Sequence, residues 1–196
     1  MTKSNQTRTS ILQRAFDLIY VRGYQATSID DIIATTQVTK GAFYYHFANK
    51  DQMGIAVINE IIFPEIHQGF IQPLKGTEKP VKDIHKMIRH MLFDIPFFKI
   101  ENGCPLANLI QEMSPLNPDF NMALNKISDK CLEVIRDSLK HGRKAGKVHA
   151  GTNEEEAAYF ILAGYWGIRA IGKSQNNVNC YQIYLEELKK YLKSLQ

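Results

Sequence analysis

Apolar residues recur at helical spacing along almost the whole chain, and this periodicity limits the possible folds more than any other feature of the sequence. No segment shows a sustained alternation of apolar and polar residues between hairpin turns, which disfavours sheet architectures. Proline- and glycine-containing breakers, such as the segment 114–118, separate the helical stretches. We therefore predict an all-α fold.

The size and composition exclude several classes of protein. The chain has 196 residues, of which 44% are hydrophobic and 22% are charged, so a globular protein of one or two domains is expected. The longest nearly apolar run, residues 157–168, is shorter than the ~20 residues of a membrane span. The first six residues contain no apolar segment, so we expect no secretory signal. Three widely spaced cysteines favour a reducing cytoplasm over a disulfide scaffold.

The net charge of +4 is small, but it is unevenly distributed. Residues 1–50 contain six basic and three acidic side chains, so most of the excess positive charge lies in the first quarter of the chain. An excess of three charges can arise from composition alone. It becomes informative only together with a motif that binds an anionic partner.

Residues 27–47 form the most informative motif. A first helix is predicted from near Thr9 or Ser10 to Gly23, followed by a capping box in which Thr27 caps a second helix. The turn 36–38 leads to a third helix, 40–47, capped by Thr39. Two short helices joined by a tight turn after a supporting helix predict a helix-turn-helix, whose second helix enters the major groove of DNA.

Ten residues of this region are predicted to contact DNA, because they are polar, cap helix N-termini or allow a close approach to the phosphates. Phe43 and Phe47 are expected to face the core instead. For single residues a structural role stays open, with the tyrosines packing and Lys50 a solvated charge. The predicted contacts are Thr27, Ser28, Thr39, Lys40, Gly41, Ala42, Tyr44, Tyr45, His46 and Lys50.

The same residues carry a resemblance to a known family. The run 39–47, the following Asn-Lys-Asp at 49–51, and the pairs 23–24 and 27–28 closely resemble the signature of TetR-family transcriptional regulators. The resemblance covers roughly residues 9–55. One departure is Gln37, where many members have a glycine. If that position requires a positive φ, the glutamine is strained there.

This resemblance implies an all-α fold of nine or ten helices and a homodimer that represses genes by binding a palindromic double-stranded operator. The half-sites would lie about one helical turn (~34–36 Å) apart. It also implies two domains: a helix-turn-helix DNA-binding domain over residues 1–52, and an effector-binding and dimerisation domain over residues 53–196. The last two long helices would form the dimer, and a small molecule, electrophile or oxidant would release the DNA.

The helix around residues 157–172 is rich in alanine and glycine, which allow close approach of a second helix. A dimer interface and a helix buried within one chain both remain open. The aromatic and methionine residues near it either line a ligand cavity or fill an ordinary core. Trp166, Phe93 and Met113 are the candidates for contact with an effector.

Cys104 is the sharpest candidate for a sensing residue. It precedes Pro105 at the start of a helix, where the helix dipole favours a thiolate. The segment 103–114 is similar to that of the NemR-like subgroup of the family, which responds to electrophiles and bleach, and the resemblance makes Lys173 the partner of the cysteine. The alternative is that Cys104 is a small buried core residue. Cys131, at helical spacing with apolar neighbours, is expected in the core.

The sequence contains no recognisable catalytic constellation. His85 and His90 are five residues apart, unlike the i, i+4 pair of a zinc-binding helix. We therefore expect no enzyme, no metal site, no cofactor and no membrane partner. The alternative function is an effector-independent, architectural DNA-binding protein. A fully packed C-terminal core would favour that alternative, and an accessible cavity would count against it.

Overall fold

The computed structural model describes residues 3–36 and 38–196, and the regular structure in this part of the chain is entirely helical, which confirms the all-α prediction. The strain predicted at Gln37 lies outside the described residues. None of the described helices is long and apolar enough to cross a membrane. The helices are α1 (Lys3–Arg22), α2 (Ile29–Ala34), α3 (Lys40–His46), α4 (residues 50–74), α5 (Pro80–Phe93), α6 (Pro105–Met113), α7 (Pro118–Lys144), α8 (Glu154–Gln175) and α9 (Asn179–Ser194).

Helix α4 is irregular but continuous. Its pieces are an α-helical start (Lys50–Val57), a π-helical segment (Ile58–Ile62), an α-helical turn (Phe63–Ile66), a second π-helical segment (His67–Ile71) and a 3₁₀ end (Gln72–Leu74). The sequence predicts that Pro64 bends or ends this helix. The chain instead stays helical past Pro64, which is the second residue of the α-helical turn that follows the first π-helical segment. Proline, which has no N–H to donate, is thus accommodated at a change of hydrogen-bond pattern.

Helix α1 begins earlier than its apolar pattern predicts. It starts at Lys3 rather than near Thr9, and its first turns are mostly exposed. Arg8 anchors this extension, because its guanidinium donates to both carboxylate oxygens of Glu60 and lies 5.0 Å from the Phe47 ring centroid. A long-range contact of this kind leaves no periodic signal in the sequence.

The chain divides into two compact units. The first consists of Met1–Pro64 and Pro105–Asn125, and the second of Glu65–Cys104 and Lys126–Gln196. Helices α1–α3, the start of α4, α6 and the start of α7 therefore pack together. Sequence order alone does not show that α6 packs with the N-terminal helices.

The core of the first unit holds the three N-terminal helices together. Ile11, Leu12, Ile32 and Phe43 are at most 2% exposed. The Phe16 ring stacks on Tyr20 with centroids 5.2 Å apart, and burial of these apolar faces is the main term stabilising the three helices.

The second unit is built around α5, α8 and α9. The fully buried Tyr181 of α9 lies against Gly172 of α8, where an added Cβ would be 2.5 Å from the tyrosine ring. The prediction that Cys131 lies in the core is confirmed, because its side chain is 2% exposed. Burial raises the pKa of its thiol well above the usual value, so Cys131 stays protonated at neutral pH.

Candidate nucleic-acid interface

Helix α3 is capped and anchored as the sequence predicts. Thr39 is the N-cap residue, and its hydroxyl accepts the N–H of Ala42 at 3.2 Å. Phe43 and Phe47 are buried with ring centroids 5.7 Å apart, which fixes the inner face of the helix. The outer face is therefore held in one orientation by the core beneath it.

The outer face of α3 presents polar and aromatic side chains to solvent. Tyr44 is 48% exposed and Tyr45 is 78% exposed, which is unusual for large aromatic residues. An added Cβ at Gly41 would meet only the Thr39 hydroxyl, at 4.0 Å, so this side of the helix is open to a close approach. Of the predicted contacts, those on or next to α3 with exposed or half-exposed side chains are Thr39, Lys40, Ala42, Tyr44, Tyr45 and His46.

Lys40 forms an ion pair within the motif. Its ammonium lies 2.9 Å from the Asp30 carboxylate of α2, and both side chains are exposed. The hydrogen bond to Asp30 raises the pKa of Lys40, so the lysine is cationic at neutral pH. A DNA phosphate would have to share this cation with Asp30 or displace the carboxylate.

The cap of α2 differs by one residue from the prediction. Ser28, not Thr27, is the N-cap, and its hydroxyl accepts the Asp31 N–H at 3.0 Å while Asp31 accepts the Ser28 N–H at 2.8 Å. Thr27 is fully buried, and its hydroxyl donates to the Gly23 carbonyl at 2.8 Å. The prediction that the Thr27 hydroxyl faces DNA is therefore wrong, since burial and that bond occupy it.

Lys50, at the start of α4, is half-buried rather than freely solvated. Its ammonium lies 4.3 Å from the centroid of the Tyr24 ring and donates to the Gln25 carbonyl at 3.4 Å. Burial lowers the pKa of Lys50, although nearby carboxylates partly offset the shift. The lysine thus supports the turn after α1, in addition to its predicted contact with phosphate.

That turn is also held by residues that sequence reasoning missed. Glu112 of α6 accepts the backbone N–H groups of Tyr24 and Gln25 at 2.9 and 2.8 Å. Asn117 donates to Asp51 at 3.1 Å, and Asp51 also accepts the Tyr24 hydroxyl. These partners are 27 to 88 residues apart in the chain, so no local pattern could have identified them.

The two residues of the predicted sensing pair, Cys104 and Lys173, differ in burial. Cys104 is 3% exposed, and Lys173 is exposed. The side chain of α8 that meets this segment is Arg169, which is fully buried and donates to the carbonyls of Phe98, Lys99 and Gly103. Burial of Cys104 favours the core alternative.

The other effector candidates lie in different surroundings. Phe93 is 38% exposed and contacts Tyr181 edge to face, with centroids 5.9 Å apart. Trp166 of α8 is half-buried. Both belong to the second unit, whereas Met113 is buried in the first.

The second unit contains a cleft of about 340 Å³ that none of these candidates lines. Its apolar wall is formed by Ile71, Leu74 and Val134. Charged and polar side chains surround that wall, a combination suited to a small amphipathic molecule. They are His67, Lys75, Thr77, Lys130, Glu133, Asp137, Ser138 and His141.

Helix α8 has a second apolar face. At 100° per residue, Ala163, Gly167 and Ala170 lie opposite the buried side of the helix, and all three are exposed. Tyr159 and Phe160, each 57% exposed, flank this strip of small residues. We call these five residues the α8 outer face.

Two short, capped helices follow the longer α1, and the second of them, α3, exposes basic and aromatic side chains; this arrangement defines a DNA-binding unit of the helix-turn-helix class. Residues 11–57 match the family description "Bacterial regulatory proteins, tetR family". Residues 85–186, more than half of the chain, match "Tetracyclin repressor-like, C-terminal domain". The chain belongs to the TetR family of transcriptional regulators, and it is a regulator rather than an enzyme.

Individual relatives agree with this family. An HTH-type transcriptional regulator in the lacX 3′ region of Lactococcus lactis subsp. lactis is 34% identical over 135 residues, 68% of each chain. The repressor NemR of Escherichia coli strain K12 is 25% identical over 141 residues, 71% of this chain and 70% of NemR. A TetR regulator structure from Chloroflexus aurantiacus superposes with a TM-score of 0.88 at 24% identity, covering 98% of this chain and 97% of that one.

Proposed function

We propose that this regulator is a repressor that binds a palindromic operator as a homodimer and is released by a signal sensed in the C-terminal domain. In this proposal residues 1–52 bind DNA, and residues 53–196 bind the effector and dimerise. As in other members of the family, the protein acts on DNA in the cytoplasm.

The observation that carries DNA binding is the exposed outer face of α3. Lys40, Tyr44 and Tyr45 project from a helix whose opposite face is locked into the core by Phe43. A rigid helix with a cation and hydrogen-bonding aromatic side chains suits the major groove, where lysine neutralises phosphate and tyrosine hydroxyls contact phosphates or bases. The N-cap at Thr39 aims the positive end of the helix dipole toward the same partner.

The experiment uses duplexes that the wild-type protein selects from a random pool. Tyr44→Ala and Lys40→Ala should each weaken binding to the selected duplex by about tenfold or more, because each removes a contact worth roughly 1–3 kcal/mol. Lys86→Ala, which removes an exposed lysine from α5, is the matched control and should bind like wild type. Unchanged affinity in both α3 variants would contradict the assignment.

The α8 outer face supports dimerisation. An exposed strip of small residues flanked by aromatic residues allows close helix packing against a second copy, as isologous interfaces require. We place the dimer interface on α8 and α9, the last two long helices.

The cleft in the second unit favours a regulator that is controlled by a ligand, and it counts against an architectural protein that binds DNA without an effector. A ligand that favours the DNA-released state by ~10⁴-fold would switch the protein almost completely.

Release by electrophiles is tested with Cys104→Ser against Cys180→Ser, since Cys180 is half-exposed and Cys104 is buried. If N-ethylmaleimide releases wild type, Cys104→Ser and Cys180→Ser equally from DNA, Cys104 is excluded as the sensor.

A further inference from the structure

The turn between α1 and α2 is fixed by a carboxylate from a distant part of the chain. Glu112, in the last turn of α6, accepts the N–H of Tyr24 through Oε2 at 2.9 Å and the N–H of Gln25 through Oε1 at 2.8 Å. Two consecutive backbone donors thus bind one carboxylate, and such charge-assisted bonds are stronger than those between neutral groups. We call this arrangement the Glu112 clamp.

The backbone is shaped to receive the clamp. Gly23 has a φ of +90°, a conformation that other residues rarely adopt, and a Cβ there would lie 3.1 Å from Glu112 Oε1. Gly23 therefore allows the positive φ of the turn and also leaves room for the Glu112 carboxylate. Without Glu112, the N–H groups of Tyr24 and Gln25 would lose a charged partner, and the loss is more costly at the part-buried Tyr24 N–H than at the exposed Gln25 N–H.

The clamped turn leads directly into the helix-turn-helix. Thr27 closes the turn by donating to the Gly23 carbonyl at 2.8 Å, and the next residue, Ser28, caps α2. Because α3 packs on α1 and α2, a shift of this turn moves the surface on which α3 rests. The position of the clamp therefore bears on the orientation of α3.

Residues 105–125, which include Glu112, make further contacts with the turn between α1 and α2. The Tyr24 ring lies 4.7 Å from the Phe120 ring of α7, and its hydroxyl donates to Asp51. Asn117, between α6 and α7, donates to the same Asp51 carboxylate at 3.1 Å. Residues 105–125 thus belong to the compact unit of the DNA-binding helices through specific polar contacts as well as through packing.

We propose that Glu112 is a positioning residue for DNA recognition: its carboxylate holds the α1–α2 turn so that α3 is presented in the orientation that fits the operator. It touches no DNA itself. This inference rests on the proposed function of α3.

The test compares Glu112→Gln with Glu78→Gln, which removes the same charge from an exposed residue of the second unit. The glutamine keeps the size of the side chain but replaces one acceptor oxygen with an NH₂ group that opposes a backbone donor. On the duplex selected by wild type, Glu112→Gln should bind about tenfold more weakly, with less discrimination against a scrambled duplex. The slope of affinity with salt should not change, because no phosphate contact is lost.

Hydrogen exchange in the free protein supplies a readout that does not depend on DNA. The amides of Tyr24 and Gln25 should exchange at least tenfold faster in Glu112→Gln than in Glu78→Gln. If wild type selects no duplex, the proposed function of α3 is wrong. Hydrogen exchange at the Tyr24 and Gln25 amides still shows, independently of DNA, whether the Glu112 clamp exists. Wild-type affinity in Glu112→Gln, or weaker binding without faster exchange at these amides, would overturn the inference. Glu112→Asp, which keeps the charge, should recover part of the discrimination, and no recovery in a folded variant would also count against it.

Discussion

Lys40 is paired with Asp30 in the free protein and is proposed to contact a DNA phosphate in the complex. In the free protein its ammonium is paired with Asp30 at 2.9 Å, in an exposed ion pair of the kind that contributes little to stability. In the proposed complex a phosphate would compete for the same cation, so Asp30 would oppose DNA binding both by holding Lys40 and by its own charge.

Asp30→Asn should therefore tighten binding to the selected duplex by about three- to tenfold at low salt, with the gain shrinking as salt increases. Fluorescence anisotropy at several salt concentrations measures this change. Glu78→Gln controls for the change in net charge. An Asp30→Asn variant that binds no more tightly than this control would show that Asp30 does not compete with DNA for Lys40.

At the same scale, the sequence identified which residues of α3 are exposed but not what holds them. The caps at Ser28 and Thr39 follow from local residue preferences, and the error of one residue at Thr27 arose because two adjacent hydroxyl residues both suit an N-cap. Burial of Thr27 depends on packing that only the folded chain reveals. For Cys104, local sequence favoured a helix N-terminus but could not show that the thiol is enclosed.

Helix α4 meets the aromatic residues of the first unit at a position that tolerates no side chain. A Cβ on Gly54 would lie 2.6 Å from both the Phe120 and Tyr24 rings. This contact joins α4 to the turn after α1 and to α7 within one core. Glycine is present here because of close packing, not because of its backbone freedom.

Gly54→Ala should lower the free energy of unfolding by roughly 1–3 kcal/mol, the usual cost of overpacking. Gly41→Ala is the control, because its new Cβ would meet nothing closer than 4.0 Å. Thermal and urea unfolding measure the difference. Equal stability of the two variants would indicate that the rings move aside without cost.

Helix α8 is two-sided, with one face in the core and the other open. Replacing a small residue in the middle of the α8 outer face with a long charged one should prevent close helix packing. Ala163→Arg should therefore shift the protein from dimer to monomer in sedimentation velocity, without loss of helical signal.

Met122→Arg is the matched control for this experiment, because Met122 is 69% exposed on α7 and lies outside the α8 outer face. It should leave the dimer intact. A dimer of unchanged stability in Ala163→Arg, or a wild-type protein that sediments as a monomer, would contradict the proposed interface.

For the elements as a whole, periodicity predicted the helices well and their ends poorly. The short helices α2 and α3 were recognisable because caps and a turn bracket them. The continuation of α4 past Pro64 was not, because π-helical hydrogen bonding has no sequence signature as simple as a cap. The start of α1 was missed because its first turns are mostly exposed and carry no apolar stripe; the pairing of Arg8 with Glu60 has no periodic signal in the sequence.

On the scale of the whole molecule, the two compact units do not follow the order of the sequence. The predicted boundary follows the order of the chain, whereas residues 105–125 pack with the N-terminal helices in the first compact unit. Contacts such as the Glu112 clamp create that arrangement, and they join residues too far apart for a single sequence to reveal. The second unit retains the cleft and the α8 outer face, which are the features that effector binding and dimerisation require.

In the proposed function, α3 is presented twice by a dimer and recognises a two-fold operator. Hydroxyl-radical footprinting on the duplex selected by wild type tests this claim most directly. Two protected half-sites related by two-fold symmetry are expected, with centres about 10 base pairs or a multiple of one helical turn apart, and Tyr44→Ala should need about tenfold more protein to protect them. A single protected site, or two sites that Tyr44→Ala protects at the same concentration as wild type, would contradict this proposal.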